Sequence, residues 1–238
     1  MPKIDLYWAQ ISQPSRAIKS LLDAGDVPYE SHVLDILKGE NRTPEMLAIN
    51  PVGTLPFITV DGEPLYESAA ILRYLAVKFP SLNKFYPEGA EHRAMIDAAL
   101  DFNGTSFRGA AMGVFVPIVF PRIAGNEPDA AVHEAAKASE EKMKGLITMM
   151  NMAMEQRGHT FSGGNVINIA DFQLYCQMMD LTYHGKVPAD YLKDSPKVLA
   201  WWNACSAHKG LKETHEHETF VGIQAFASGV YATPVEKK

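Results

Sequence analysis

Three short stretches near the N-terminus carry residue types suited to holding a small polar ligand. The first is Ser12-Gln13-Pro14-Ser15, within "AQISQPSRAIKS". A hydroxyl just ahead of a proline-started helix lies at the positive end of the helix dipole, where it can hold an anion. The same residue also makes a plain N-cap, and local sequence alone favours that structural role. The second is Leu55-Pro56 in "NPVGTLPFITV". A proline opening a strand donates no N–H and suits an edge. A cis bond before it would turn Leu55 outward and leave its N–H and C=O to a peptide-like guest; the ordinary trans bond would make it only an edge proline. The third is Glu67-Ser68, where Ser68 can cap a helix while its backbone N–H faces a carboxylate. Glu67 can pair with an ammonium group, so the two together would grip both ends of an amino-acid zwitterion.

The elements that must position these residues follow from pattern. Ile4–Trp8 suits a strand, Pro14–Ala24 a helix and His32–Asp35 a second strand. A short helix begins near Thr43, with Pro44 at its first position and Glu45 in the first turn. "PFITV" and "EPLYE" flank Asp61-Gly62, a hairpin signal. Ser68–Phe79 sets Ile71, Leu72, Leu75 and Phe79 on one helical stripe. The order β-α-β-α-β-β-α predicts a mixed, four-stranded sheet with helices packed on it. "PSLNKFYPEG" reads as a linker over 81–89, and strand patterning then nearly vanishes. Helices are predicted over Ala90–Arg108, Asp129–Gln156, Asn168–Tyr183 and Pro196–His208. The chain thus divides into a small α/β domain, residues 1–80, and an all-helical domain, residues 90–238. "VINIADF" is a capping-box variant, with Asn168 as N-cap, Asp171 three residues on, and Ile167 and Phe172 as the hydrophobic staple. It starts a core helix and is assigned no chemistry.

Composition excludes several classes of function. The 238 residues are 47% hydrophobic and 21% charged, with a formal net charge of −6 and no basic block. That speaks against a general nucleic-acid binder. Cys176 and Cys205 are unpaired in motif, which speaks against a disulfide framework or a zinc ribbon. The strand-like N-terminus leaves no room for a signal peptide, so a cytoplasmic protein is expected. The apolar run Gly109–Phe120, broken by Pro117, is too short to span a bilayer and reads as a buried helix or pocket wall. The sequons at Asn41 and Asn103 mean little without secretion. No G-x-G-x-x-G follows the first strand and no P-loop occurs. His133-Glu134-Ala135-Ala136-Lys137 starts like a zinc-protease helix but has Lys137 where the second ligand is needed. His215 and His217, two apart, would lie on different helix faces. No metal is expected.

"LYWAQISQPSRAIKSLL", "NPVGTLPFI" and "LYESAAILRYL", in this order and spacing, resemble the cytosolic glutathione S-transferases, most closely the theta-like, serine-type classes. The resemblance is close over the first eighty-odd residues and looser beyond, where "INIADF" is similar to the family's capping box. It implies a thioredoxin-like domain that binds reduced glutathione as co-substrate and a helical domain that supplies most of a hydrophobic-substrate pocket. Thioredoxin-like redox enzymes carry C-x-x-C where this chain has Ser12 to Ser15. Carried over by motif, Ser12 donates to the glutathione sulfur, Leu55 offers its backbone to the cysteinyl part before a cis Pro56, and Glu67 and Ser68 hold the γ-glutamyl end. Lys38, Asn41 and Arg42 are the candidates for the glycine carboxylate; theta members often have a histidine where Asn41 stands. Tyr7 is the runner-up for the thiol-facing role, because other classes use a tyrosine near the end of the first strand. Phe107, Met112 and Phe115 are candidates for the electrophile pocket, with core packing as the competing role. The resemblance also implies a homodimer.

The implied chemistry is modest in its demands. A free thiol has a pKa of about 8.5, so only a few per cent is thiolate at neutral pH. A hydrogen bond to a charged group contributes roughly 1.5–3 kcal/mol, or about one to two pKa units. Ser12 and the helix dipole together would make the bound thiolate dominant near pH 7. Three alternatives share the fold: a non-catalytic ligand carrier or assembly subunit, a glutathione-dependent peroxidase, and a thiol reductase. The last needs a cysteine where Ser12 stands.

Overall fold

The computed structural model describes residues 1–123, 125–184 and 191–216. A four-stranded sheet is built from β1 (Ile4–Trp8), β2 (Glu30–Val33), β3 (Phe57–Val60) and β4 (Glu63–Tyr66), in the order β2-β1-β3-β4. β1 and β2 run parallel; β3 is antiparallel to both β1 and β4. The sheet is therefore mixed, as the element order requires. β2 lies earlier than the sequence pattern places it, because its register pairs Asp5 with Glu30 and Trp8 with Val33. The residues after Val33 turn away into short 3-10 segments at Ile36–Lys38 and Glu40–Arg42.

Alternation along β1 decides which face is core. Ile4, Leu6 and Trp8 are all 5% exposed or less and belong to the hydrophobic core, which also holds the buried apolar stripe of α1 (Gln13–Ala24). Pro14 stands in the first turn of α1, where its missing N–H costs nothing. Ala17, Ile18, Leu21 and Leu22 bury one stripe of it. The Asp61-Gly62 turn has both central residues at positive φ (53° and 91°), matching the twist of the β3–β4 hairpin. α2 (Pro44–Ile49) is capped by Thr43 Oγ1, which accepts from the Met46 N–H. α3 (Ser68–Lys78) buries Ile71, Leu72, Leu75 and Ala76.

The expected linker is partly built into the core. A 3-10 segment at Pro80–Phe85 buries Leu82 and Phe85, and the Phe85 ring meets Phe172 edge-on at 5.2 Å. Helices follow: α4 (Ala90–Phe102), α5 (Arg108–Ile123), α6 (Ala130–Arg157), α7 (Ile169–Met178), α8 (Pro196–Ser206) and α9 (Lys209–Glu216). The helix expected over Ala90–Arg108 is interrupted by a π turn at Asn103–Phe107 that re-aims the chain into α5. α5 carries Pro117 and Pro121 within it. The apolar run is thus a helix whose inner side is core. The helix expected over Asn168–Tyr183 tightens to 3-10 geometry from Met179. No described helix is long and apolar enough to cross a membrane. Residues 217–238, including His217, lie outside the described residues.

The capping box is formed as its sequence indicates. Asn168 Oδ1 accepts from the Ala170 N–H at 3.0 Å, and Asp171 Oδ2 accepts from the Asn168 N–H at 2.9 Å. Asp171 Oδ1 also accepts from the Ser162 N–H and from Trp201 Nε1, both at 2.8 Å. One carboxylate therefore ties the start of α7 to the preceding loop and to α8.

Candidate functional site

Topology gathers the three motifs at one end of the sheet. Across the strands, Tyr7 pairs with His32 and Phe57, and Phe57 pairs with Tyr66. β1 leaves this row toward Ser12, β3 enters it from Leu55-Pro56, β4 leaves it toward Glu67-Ser68, and β2 leaves it toward Lys38–Arg42. Residues remote in sequence thus share one edge because strand direction puts them there.

Ser12 is 9% exposed and is the N-cap of α1 by backbone: its C=O accepts from the Arg16 N–H at 3.1 Å. Its side chain makes no capping bond. The hydroxyl that does tie the turn is Ser15 Oγ, accepting from the Ala9 N–H at 3.4 Å. No acidic residue stands in the first turn of α1 to offset the dipole. Of the two roles open to Ser12 in sequence, plain side-chain capping is the one its geometry lacks.

Tyr7 is held differently. Its ring is stacked between His32 (4.5 Å between centroids) and Phe57 (4.4 Å) on the sheet face opposite Leu6 and Trp8. Burial and the nearby Asp5 carboxylate raise its pKa, which keeps the phenol protonated.

The Leu55-Pro56 bond is cis. Pro56 is buried and Leu55 is half-buried. The loop before it is braced by two asparagines. Asn50 donates to the Thr54 carbonyl at 2.9 Å and accepts from the Val52 N–H at 3.1 Å; Asn41 donates to the Gly53 carbonyl at 2.6 Å. Asn41 thus uses one of its two amide N–H groups on the loop. Lys38 and Arg42 are exposed, and Lys38 pairs with Asp35 at 3.1 Å.

Glu67 is exposed and adopts φ +72°, a left-handed backbone that a side chain with a Cβ disfavours. Ser68 Oγ accepts from Gln173 Nε2 at 3.1 Å. Met112 meets the Gln13 amide, with Nε2 3.6 Å from Sδ. Phe107 and Phe115 are 0% and 1% exposed, so both pack as core side chains.

The helical half also contributes polar residues that sequence reading passed over. Gln173, Gln177 and Asp180 follow at intervals of four and three; Gln173 and Asp180 reach the α/β half, and Gln177 bonds within the helical half. Gln177 donates to Asp180 Oδ2 at 3.0 Å and accepts from Arg108 at 3.2 Å. Asp180 also accepts from Gln13 Nε2, and it pairs with Arg16 at 3.4 Å. Arg16, 1% exposed, further donates to the carbonyls of Gln10 (2.9 Å) and Cys176 (3.0 Å) and to His215 Nε2 (3.3 Å). Burial pushes the Asp180 carboxyl up, to about 7, against the pull of Arg16 and of the Gln13 bond. The available signal was the i, i+4, i+7 spacing of polar residues inside an apolar helix.

The other histidine and cysteine motifs have structural roles. His133 sits on an exposed face near Glu127, at 3.4 Å. His215 is buried, accepting from Arg16 while Nδ1 lies 2.7 Å from the Leu211 carbonyl. Cys176 and Cys205 are buried free thiols, and burial pushes Cys176 up to about 12.

Residues 6–84 match the family model described as glutathione S-transferase, N-terminal domain, and residues 117–217 match glutathione S-transferase, C-terminal domain. Glutathione S-transferase T1 of Arabidopsis thaliana is 34% identical over 206 residues, covering 84% of this chain and 82% of its own. Glutathione S-transferase theta-1 of Mus musculus is 26% identical, covering 90% and 88%. The apo structure of human glutathione-S-transferase T1-1 superposes with a TM-score of 0.81 at 23% identity, covering 95% of this chain and 91% of that one. With both domain models matched in order, on a sheet edge that gathers the three motifs, the chain belongs to the glutathione S-transferase family.

Proposed function

We propose that this protein is a glutathione transferase of the serine, theta-like type, in which Ser12 stabilises the thiolate of bound glutathione for attack on a hydrophobic electrophile. The observation that carries the reading is the Ser12 hydroxyl. It stands at the positive end of α1, makes no side-chain cap and is backed by a second serine that does the structural work. The names of relatives matched over most of their length support conjugation as the activity. Leu55, half-buried at the entry to β3, pairs by its backbone with the cysteinyl part of the tripeptide. Glu67 and Ser68 then take the ammonium and carboxylate of the γ-glutamyl end, and Lys38 and Arg42 the glycine carboxylate, with Asn41 holding the intervening loop. Met112 borders the electrophile, with Phe107 and Phe115 behind it. The working unit is a homodimer.

In the reaction Ser12 keeps its proton and donates a hydrogen bond to sulfur. The thiolate forms the new carbon–sulfur bond, and the electrophile either accepts the electron pair by addition or expels its leaving group. Retention on immobilised glutathione, followed by conjugation assays with a dinitrohalobenzene and an alkyl halide, tests the reading. Turnover by the wild type that falls about tenfold to a hundredfold at pH 7 in Ser12→Ala is expected, from the hydrogen bond to a charged group. Unchanged turnover in Ser12→Ala would remove Ser12 from the mechanism, and retention without turnover on any electrophile would mark a carrier.

A further inference from the structure

Gln173 on α7 reaches from the helical half of the chain to the first residue of α3, donating from Nε2 to Ser68 Oγ at 3.1 Å. Its other amide atom, Oε1, is buried with no hydrogen-bond partner among the described residues, and the residue is 7% exposed. An amide buried with its carbonyl unsatisfied is a poor stabilising device, because the desolvation of that oxygen offsets the one bond it makes. A methionine would fill the same space without that cost. The use of a glutamine here therefore calls for a reason at its single partner.

A serine hydroxyl has one proton and two lone pairs, and a carboxylate only accepts. Donation from Gln173 engages a lone pair of Ser68 Oγ and leaves the Ser68 proton for another acceptor. We propose that Gln173 is a positioning residue that sets Ser68 as a hydrogen-bond donor toward the γ-glutamyl carboxylate of glutathione. The inference rests on the assignment of Ser68 made under Proposed function. It also gives the helical half a part in holding glutathione, exerted through Ser68.

The test is calorimetric titration of the full chain with reduced glutathione, with thermal unfolding of each variant alongside. Gln173→Met is expected to weaken binding about three- to tenfold, the worth of one neutral hydrogen bond, at an unchanged or raised Tm. KM for glutathione should rise in parallel, with a much smaller change in kcat at saturating glutathione. Gln173→Glu is expected to weaken binding further, because its carboxylate takes the Ser68 proton and repels the ligand. In a Ser68→Ala background, Gln173→Met should add nothing. Wild-type affinity in Gln173→Glu, or an equal loss from Gln173→Met with and without Ser68, overturns the proposal. So does a lowered Tm in Gln173→Met with glutathione affinity intact, the mark of a merely structural residue. If Ser68→Ala itself binds glutathione normally, the Ser68 assignment falls and takes this proposal with it. If Ser68→Ala weakens binding and the Gln173 variants do not, only the proposal falls.

Discussion

At Ser12 the chemistry comes down to one proton and one dipole. In the proposed mechanism the hydroxyl and the start of α1 both favour a negative charge beside them, and so would lower the pKa of a bound thiol. Removing the hydroxyl leaves only the dipole. The pKa of enzyme-bound glutathione, read from thiolate absorbance against pH, should therefore rise by about one to two units in Ser12→Ala. Glu67 stores strain of a different kind. Its left-handed backbone costs about 1–2 kcal/mol that glycine would not pay. Glu67→Gly should offset part of that gain through greater chain entropy, give a modest net rise in thermal stability, and lose affinity for glutathione. His215 is neutral in the folded protein, since burial first and the Arg16 charge second lower its pKa from 6.5 to about 3. The unfolded chain takes that proton at a higher pH than the folded protein does. Stability from His215 is thus complete above about pH 6.5 and is lost as pH falls toward 3. Asp171, raised by burial to about 6, works the opposite way over part of that range, because its folded form takes up a proton first. His215→Gln removes only the first effect. In urea unfolding, its deficit relative to wild type at pH 7.5 should shrink by about 2 kcal/mol at pH 5.

At the scale of elements, α7 does two jobs with two sets of residues. Its N-terminus is anchored by Asn168 and Asp171, and its later turns carry Gln173 and Gln177, with Asp180 following in the 3-10 segment. The anchor fixes the rotation of the helix about its axis, and Gln173 and Asp180 then arrive at α3 and α1 in register. Asp171→Ala would strand the Asn168 and Ser162 N–H groups and the Trp201 indole N–H. A loss of about 3–5 kcal/mol is expected in chemical unfolding, with Trp201 emission reporting the change. α1 is fixed as closely from its other side. Gly210 of α9 packs so near it that a Cβ there would lie 2.1 Å from the Ser20 carbonyl. The helix that presents Ser12 is thus held by α7, α9 and the sheet together.

Across the whole molecule, the two halves are joined by a buried polar seam as well as by apolar packing. Among the described residues, the groups bonded to Asp180, from Gln13, Gln177 and Arg16, are all donors, which favours the ionised carboxylate against the burial that pushes its pKa up. Such a pair is weak as a net source of stability, yet removing one partner leaves the other charged and buried. Asp180→Ala should therefore destabilise the protein by about 3–5 kcal/mol in urea unfolding. The seam also sets where α1 sits relative to the helical half, so the variant should lose glutathione affinity before it unfolds. Retained affinity at a lowered unfolding midpoint would separate the seam's role in stability from any role in the site.

Local rules were enough for much of this protein. Alternation, turn chemistry and capping placed β1, the Asp61-Gly62 hairpin and the starts of α2, α6 and α7, because each depends on neighbours a few residues away. Motif order was enough to indicate the family. Other features were beyond reach for equally physical reasons. The bounds of β2 depend on pairing with β1, and the break before α5 on a π turn with no sharp sequence mark. Phe107 and Phe115 are apolar in any setting, so whether they line a pocket or fill the core is decided only by what packs over them. Ser12 is a plausible cap in sequence; only the tertiary fold hands capping of the turn to Ser15 and leaves the Ser12 hydroxyl uncommitted to the helix. The sequence by itself determined which residues could do the chemistry and which elements present them. Tertiary structure alone decided that Gln173 and Asp180 reach across to the α/β half, because their partners Ser68, Gln13 and Arg16 lie more than a hundred residues away and meet them only once the helical half is packed against it.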